Sequence, residues 1–248
     1  MTSPAWQALE AVIRAAPPMD PPDLTGLAEP VTRYFRAALP AGGDAGPPTA
    51  AAVLEMRGHI RIGRWMPFRA RQLLAPRFGT VWEASVAHLI VGSDRYVDGA
   101  GGMDWKLLGL VPIVRAEGPD VTRSAAARAA GESVWVPSAV APGTGTTWTV
   151  EEPDVIAADI HIDDYTVRVR HVIDGEGRLR SSTFDRWGDP DRSDTWGVHP
   201  FGVEVSEHRH FGPVTIPSRG EVGWYRGTDR WEDGRFFRFE ITSWTPWS

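Results

Sequence analysis

The sequence predicts a mainly β protein of the α+β type: one curved antiparallel sheet, a half-barrel wrapped around helices, with a helical segment at the N-terminus. Three observations predict it. From Val53 onward, apolar and polar residues alternate with a period of two over many short stretches, the pattern of strands with one buried face. Turn signals rich in Gly, Pro and Asp separate those stretches, as in hairpins and meanders. A helical period occurs in just three segments.

The first of these is the N-terminus, where Trp6, Leu9 and Ile13 recur at helical spacing over about the first fourteen residues. Pro17, Pro18, Pro21 and Pro22 then break it. A second helix is expected from Leu24 to Leu39, with Leu27, Val31, Tyr34, Phe35 and Ala38 on its buried side. Residues 40–50, PAGGDAGPPTA, read as a flexible connector. The third helix is expected around Thr122–Val134, within 121–135. Pro119 and Asp120 lead into it, SAAARAA favours it, and Pro137 ends it.

Among the strands, Leu54, Met56, Ile60 and Ile62 alternate with Glu55, Arg57, His59 and Arg61. Trp82, Ala84, Val86 and His88 alternate in the same way. The last hundred residues read as a meander. Ile156, Ala158, Ile160 and Ile162 share one face, and Asp163–Asp164 turn the chain. Tyr165, Val167, Val169, His171 and Ile173 then lie opposite Thr166, Arg168 and Arg170, and DGEGR (174–178) marks a hairpin. At least six antiparallel strands are expected. The expected organisation is a single domain over 1–248: helices and connector in 1–50, and a β-rich cavity domain in 51–248.

Composition narrows the chemistry. Without cysteine there are no disulfides and no thiolate chemistry. The net charge of −6, with no basic stripe, argues against nucleic acid and anionic membranes as partners. No run approaches the ~18 apolar residues of a membrane span, and the N-terminus lacks the basic-then-apolar order of a secretion signal. The expectation is a cytoplasmic chain with no integral membrane segment. The 12 tryptophans are many for 248 residues; most should be core, but several are expected to line a semi-polar pocket.

The signatures of P-loops, HExxH zinc sites, nucleophile elbows and EF-hands are missing. GAGGMD (99–104) lacks the third glycine of a dinucleotide fingerprint and sits between β segments. His208 and His210, with Glu204 and Ser206 beside them on a strand, could form a facial metal triad. A solvated strand face explains them as well, so neither metal nor cofactor is expected.

The most specific pattern lies mid-chain. It comprises Gly99, Gly101, Lys106, Leu107, Gly109 and Pro112, then Gly118-Pro119, then Glu132, Trp135 and Pro137. Arg33-Tyr34-Phe35, Phe68-x-Ala70-x-Gln72, Pro200-Phe201-Gly202, Ile216-Pro217 and Trp224 flank it. In these residues, over most of its length, the chain resembles a family of uncharacterised bacterial proteins that is described as a domain of unknown function. The resemblance implies a fold similar to the lipoprotein-carrier half-barrels, and no known reaction.

Lys106, the one lysine of the chain, and Glu132 each stand beside apolar residues. Each would need a partner if buried. If they meet, they form either a buried ion pair that fixes the helix to the sheet, or a polar anchor or acid–base pair at the floor of an apolar pocket, where they would be the catalytic residues. The pocket is expected to be lined by Trp65, Phe68, Gln72, Trp82, Tyr96, Trp105, Trp135 and Trp224, and to bind a hydrophobic small molecule or lipid-like chain. The alternative is a cofactor-independent cyclase, isomerase or hydrolase that holds a polyketide- or terpenoid-like substrate in one reactive shape. A purely structural or interaction module would leave the wealth of tryptophan unexplained.

Overall fold

The computed structural model describes residues 2–39 and 48–247. Most of the predicted 40–50 connector lies outside the described residues.

Two helices come first: α1 (Pro4–Ala15) and α2 (Glu29–Ala38). Ser3 caps α1 through Trp6 N–H, and Trp6, Leu9 and Ile13 form its buried stripe. The helix α2 is shorter than its apolar pattern suggests. Thr25–Gly26 form a turn around the Asp23 side chain, and Pro30 favours a start at this point. Val31, Tyr34, Phe35 and Ala38 are nevertheless its buried residues.

Six strands follow as a meander: β1 (Ala52–Ile62), β2 (Arg64–Ala75), β3 (Gly79–Val86), β4 (Ile90–Val97), β5 (Ala100–Leu107) and β6 (Val111–Glu117). The chain then forms α3 (Pro119–Gly131) and two 3₁₀ turns, Glu132–Trp135 and Pro137–Val140. A second meander completes it: β7 (Thr147–Glu152), β8 (Val155–Ile162), β9 (Tyr165–Ile173), β10 (Leu179–Gly188), β11 (Gly197–Phe211), β12 (Val214–Trp224) and β13 (Arg235–Pro246).

All 13 strands belong to one antiparallel sheet of order β6-β5-β4-β3-β2-β1-β13-β12-β11-β10-β9-β8-β7. Pairing of β1 with β13 joins the two meanders, and β6 and β7 are left as free edges, so the sheet is curved but not closed. The edge strand β6 carries Pro112 and Arg115, devices that blunt edge-to-edge association. Among the described residues, no helix is long and apolar enough to cross a membrane.

Because β6 and β7 lie at opposite edges, the chain between them must cross the concave face, and α3 makes that crossing. It touches β4 and β5 on one flank and β9 and β10 on the other. Its small residues permit the approach: Ala126, Ala127, Ala129 and Ala130 are buried against Tyr96, Ile160 and Val169. Two glycines are required here. A Cβ on Gly101 would stand 2.5 Å from Thr122 Cα, and one on Gly131 would stand 2.1 Å from a Phe184 ring carbon. The predicted third helix therefore runs as α-helix to Gly131 only, and Glu132–Trp135 tighten into the 3₁₀ turn.

The convex face of β2–β4 is covered by α1, through Trp6, Leu9, Ile13, Leu73 and Val81. On the concave face α2 packs beside Trp148, Ile156, Leu179 and Ile216. The sheet thus has helices on both faces, with α3 as its central insert.

Candidate functional site

Between α3 with its following 3₁₀ turn and the middle of the sheet lies a cavity of about 580 Å³. This is within the range of small-molecule sites. Trp82, Val134 and Trp135 form one wall, and Val203, Val222, Phe237 and Phe239 form the floor. Phe201 and Trp224, in edge contact at 4.9 Å, stand at the far side. The loop after β10 contributes Asp189, Arg192, Asp194 and the half-exposed Trp196 to the rim. Asp189 accepts hydrogen bonds from Ser193 N–H and Asp194 N–H, which closes the loop on itself. Asp191 ties the same loop to Tyr225 and Arg230.

The polar end of the cavity is built around Arg128. Its Nε donates to Glu132 Oε1 at 2.7 Å, one turn further along, and its Nη1 donates to Asp94 Oδ2 on β4 at 2.8 Å. The second Glu132 oxygen accepts from Gln72 Nε2 at 2.6 Å, and the second Asp94 oxygen accepts from Trp105 Nε1 at 2.8 Å. Burial works against the Arg128 charge, yet Glu132 and Asp94 outweigh it and raise the guanidinium above its ordinary value. One arginine and two carboxylates leave this trio with one negative charge.

A second arginine faces the same cavity from β10. On that strand Ser182, Phe184, Arg186 and Gly188 line the cavity, whereas Thr183, Asp185 and Trp187 point away from it. The Arg186 guanidinium lies over the rings of Phe201 and Trp224, at 4.5 and 5.1 Å. Its Nε donates to Ser124 Oγ at 3.1 Å. Burial first, and Arg128 second, push it down to about 10; it remains a cation at neutral pH.

The structure divides the predicted site residues into three groups. Glu132, Trp82, Trp135 and Trp224 line the cavity. Phe68, Gln72, Tyr96 and Trp105 are buried one layer behind it. Phe68 stacks on Phe237 at 4.7 Å, Gln72 and Trp105 hold the two carboxylates, and Tyr96 donates to Asp163 at 2.6 Å. Trp65 and Lys106 are on the other face of the sheet. Trp65 lies under the Arg238 guanidinium, and Lys106 borders a polar groove with Ser93 and Asp104.

The pairing of Lys106 with Glu132, on which both readings depended, is therefore corrected. Neighbours along a strand point to opposite faces, so the burial of Trp105 places Lys106 outside. Its partner is Asp104 at 3.8 Å, with both side chains at least 40% exposed. Replacement Lys106→Met is expected to cost less than about 1 kcal/mol, as for exposed pairs generally; thermal melting checks this, and a large loss would contradict the outward placement.

The histidine strand is also clarified. Register shifts at Val205/Glu207 and Glu207/His208 break the alternation of β11. Glu204 pairs with Arg226, and His210 Nδ1 meets Thr215 Oγ1. No group of three or more His, Asp or Glu side chains is poised for a metal among the described residues.

Sequence reasoning missed Arg128, Asp94 and Arg186. A signal existed for each arginine. Arg128 stands four residues before Glu132 in an otherwise alanine-rich helix, and Arg186 is in phase with Phe184 on a strand. Asp94 carries no such mark.

Two solved structures are similar in fold. One is a LolA superfamily protein from Nitrosomonas europaea, with 9% identity and a TM-score of 0.47, the alignment covering 88% of this chain and 92% of that one. The other is a domain from Vibrio parahaemolyticus assigned as an outer membrane lipoprotein-sorting protein. It has 8% identity and a TM-score of 0.43, with 79% and 84% covered. No curated protein matches the chain. Residues 17–236, which take in β1 to β12 and most of the cavity lining, match the model of a family of unknown function, DUF6544, and the chain belongs to that family.

Proposed function

We propose that the protein binds a hydrophobic small molecule or lipid-like chain in the cavity beneath α3. The observation that carries this reading is the lining itself: an aromatic and aliphatic wall around about 580 Å³, with a polar cluster at the buried end around Arg128 and Arg186 and the remaining charged groups on the rim loop. Such a distribution suits a ligand that is mostly apolar and oriented by one end. The carboxylates of Asp94 and Glu132 each have both oxygens engaged within the protein. They serve as fixed structure, and nothing in their geometry favours a reaction over binding.

A neutral apolar fluorophore tests the reading. Phenylnaphthylamine is expected to bind with enhanced emission and to quench the tryptophans of the wall. Val203→Trp, which places a large ring in the floor of the cavity, is expected to abolish that response while the protein still unfolds cooperatively. A probe that binds wild type and Val203→Trp alike is bound elsewhere, and the cavity reading then fails.

A further inference from the structure

We propose that the ligand carries a single negative charge, a carboxylate at the end of its apolar body, and that Arg186 is the residue that receives it. The inference rests on the cavity reading and adds the chemical class of the ligand's head.

The argument begins with what Arg186 lacks. Every other charged side chain at the buried end is matched: Arg128 by two carboxylates, and each carboxylate by a second donor. Among the described residues, Arg186 makes one hydrogen bond, to Ser124, through Nε alone. Both terminal nitrogens are without a protein partner, and the residue borders the cavity. Phe201 and Trp224 pack against the guanidinium and offer no acceptor to its terminal nitrogens. Arg186 is partly buried, with its terminal nitrogens accessible, and a partly desolvated cation gains from an anion that meets it. The free edge of a planar guanidinium is the geometry that takes a carboxylate or phosphate through paired hydrogen bonds.

Charge decides between those two heads. Arg128 and Arg186 together balance Asp94 and Glu132, so the side chains at the polar end of the cavity sum to no net charge. A monoanionic carboxylate shifts that balance by one charge. A phosphate monoester, carrying nearly two at pH 8, would bring twice the charge beside two fixed carboxylates. The apolar walls then accommodate the rest of the molecule. A fatty-acid-like amphiphile fits this layout; an uncharged terpene or sterol leaves Arg186 unmatched.

Displacement of phenylnaphthylamine by dodecanoic acid, its methyl ester and dodecyl phosphate, measured at pH 8, tests the inference. Wild type is expected to bind the acid at least ~tenfold more tightly than the ester, the range of a charge-assisted hydrogen-bond pair. Arg186→Met should bring the acid down to the level of the ester, so that the ratio of the two affinities falls to about one. Equal affinity of wild type for acid and ester overturns the inference and leaves the cavity reading intact, and that comparison needs no variant to fold. Tighter binding of dodecyl phosphate than of dodecanoate overturns the assignment of a carboxylate. Failure of the neutral probe to bind at all removes the cavity reading and this inference with it.

Discussion

Arg128→Met is expected to destabilise the protein by about 3–5 kcal/mol, the cost of breaking a buried ion pair from one side. For a chain of this length that corresponds to a fall in melting temperature of roughly 6–20 °C. Arg128, Asp94 and Glu132 are 17%, 21% and 18% exposed, too little for water to replace the lost partner. The substitution leaves two carboxylates facing one cavity, each with one donor, and they repel one another. One further result should accompany the loss. The triple variant Arg128→Met, Asp94→Asn, Glu132→Gln should recover much of the stability, since neutral amides keep the shape without the charge. A single variant within about 1 kcal/mol of wild type would show that the trio does not hold α3 to β4.

The trio also shows why the sequence yields the architecture sooner than the site. Alternation along β8 and β9 places Ile156, Ile160, Val169 and His171 on one face, and all are buried there. That is a local property and needs no knowledge of neighbouring strands. The same rule applied to Trp105-Lys106 would have sent the lysine outward, because two adjacent strand residues cannot both face the core. The site is non-local. Asp94, Arg128 and Arg186 lie on β4, α3 and β10, and they converge only because α3 crosses from one sheet edge to the other. Nothing in the spacing of the three along the chain encodes that crossing.

The family pattern separates along the same line. Gly99, Gly109 and Gly118 have φ of +70°, +72° and +112°, conformations that other residues rarely adopt, and they serve two hairpin turns and the entry to α3. Gly101 makes room for Thr122. These are requirements of the fold. Glu132 and Trp135, by contrast, line the cavity. The mid-chain part of the pattern is therefore mostly backbone geometry, with Glu132 and Trp135 pointing into the site.

His171 is expected to make the protein lose stability between pH 6.5 and pH 4. The ring is fully buried and stacked against Tyr34 and Trp148 at 5.7 and 5.6 Å, with its Nδ1 unpartnered. Burial alone pushes it down from 6.5 to about 4. The sign follows from which state binds the proton. Above pH 6.5 both folded and unfolded chains hold a neutral imidazole, and there is no effect. Below 6.5 the unfolded chain takes up the proton and the folded chain does not, so stability falls by about 1.4 kcal/mol per pH unit. The fall ends near pH 4, where the folded ring also protonates, at a total of about 3 kcal/mol. His208 is lowered as well, by burial first and by Arg178 second, and it adds a slope of the same sign in that region. The informative quantity is therefore the difference between wild type and His171→Phe, which keeps an aromatic ring between Tyr34 and Trp148. Urea unfolding at intervals from pH 7.5 to pH 4.5 enters, at its lower end, the range in which Glu151, Asp174 and Glu240, all held below their ordinary values, begin to matter, and the difference between the two proteins cancels their contribution. The two proteins should differ in slope across that range and run parallel above pH 7. Equal slopes would mean that α2 moves aside far enough to hydrate the ring, and that its contact with the concave face is looser than the packing of Tyr34 and Phe35 implies.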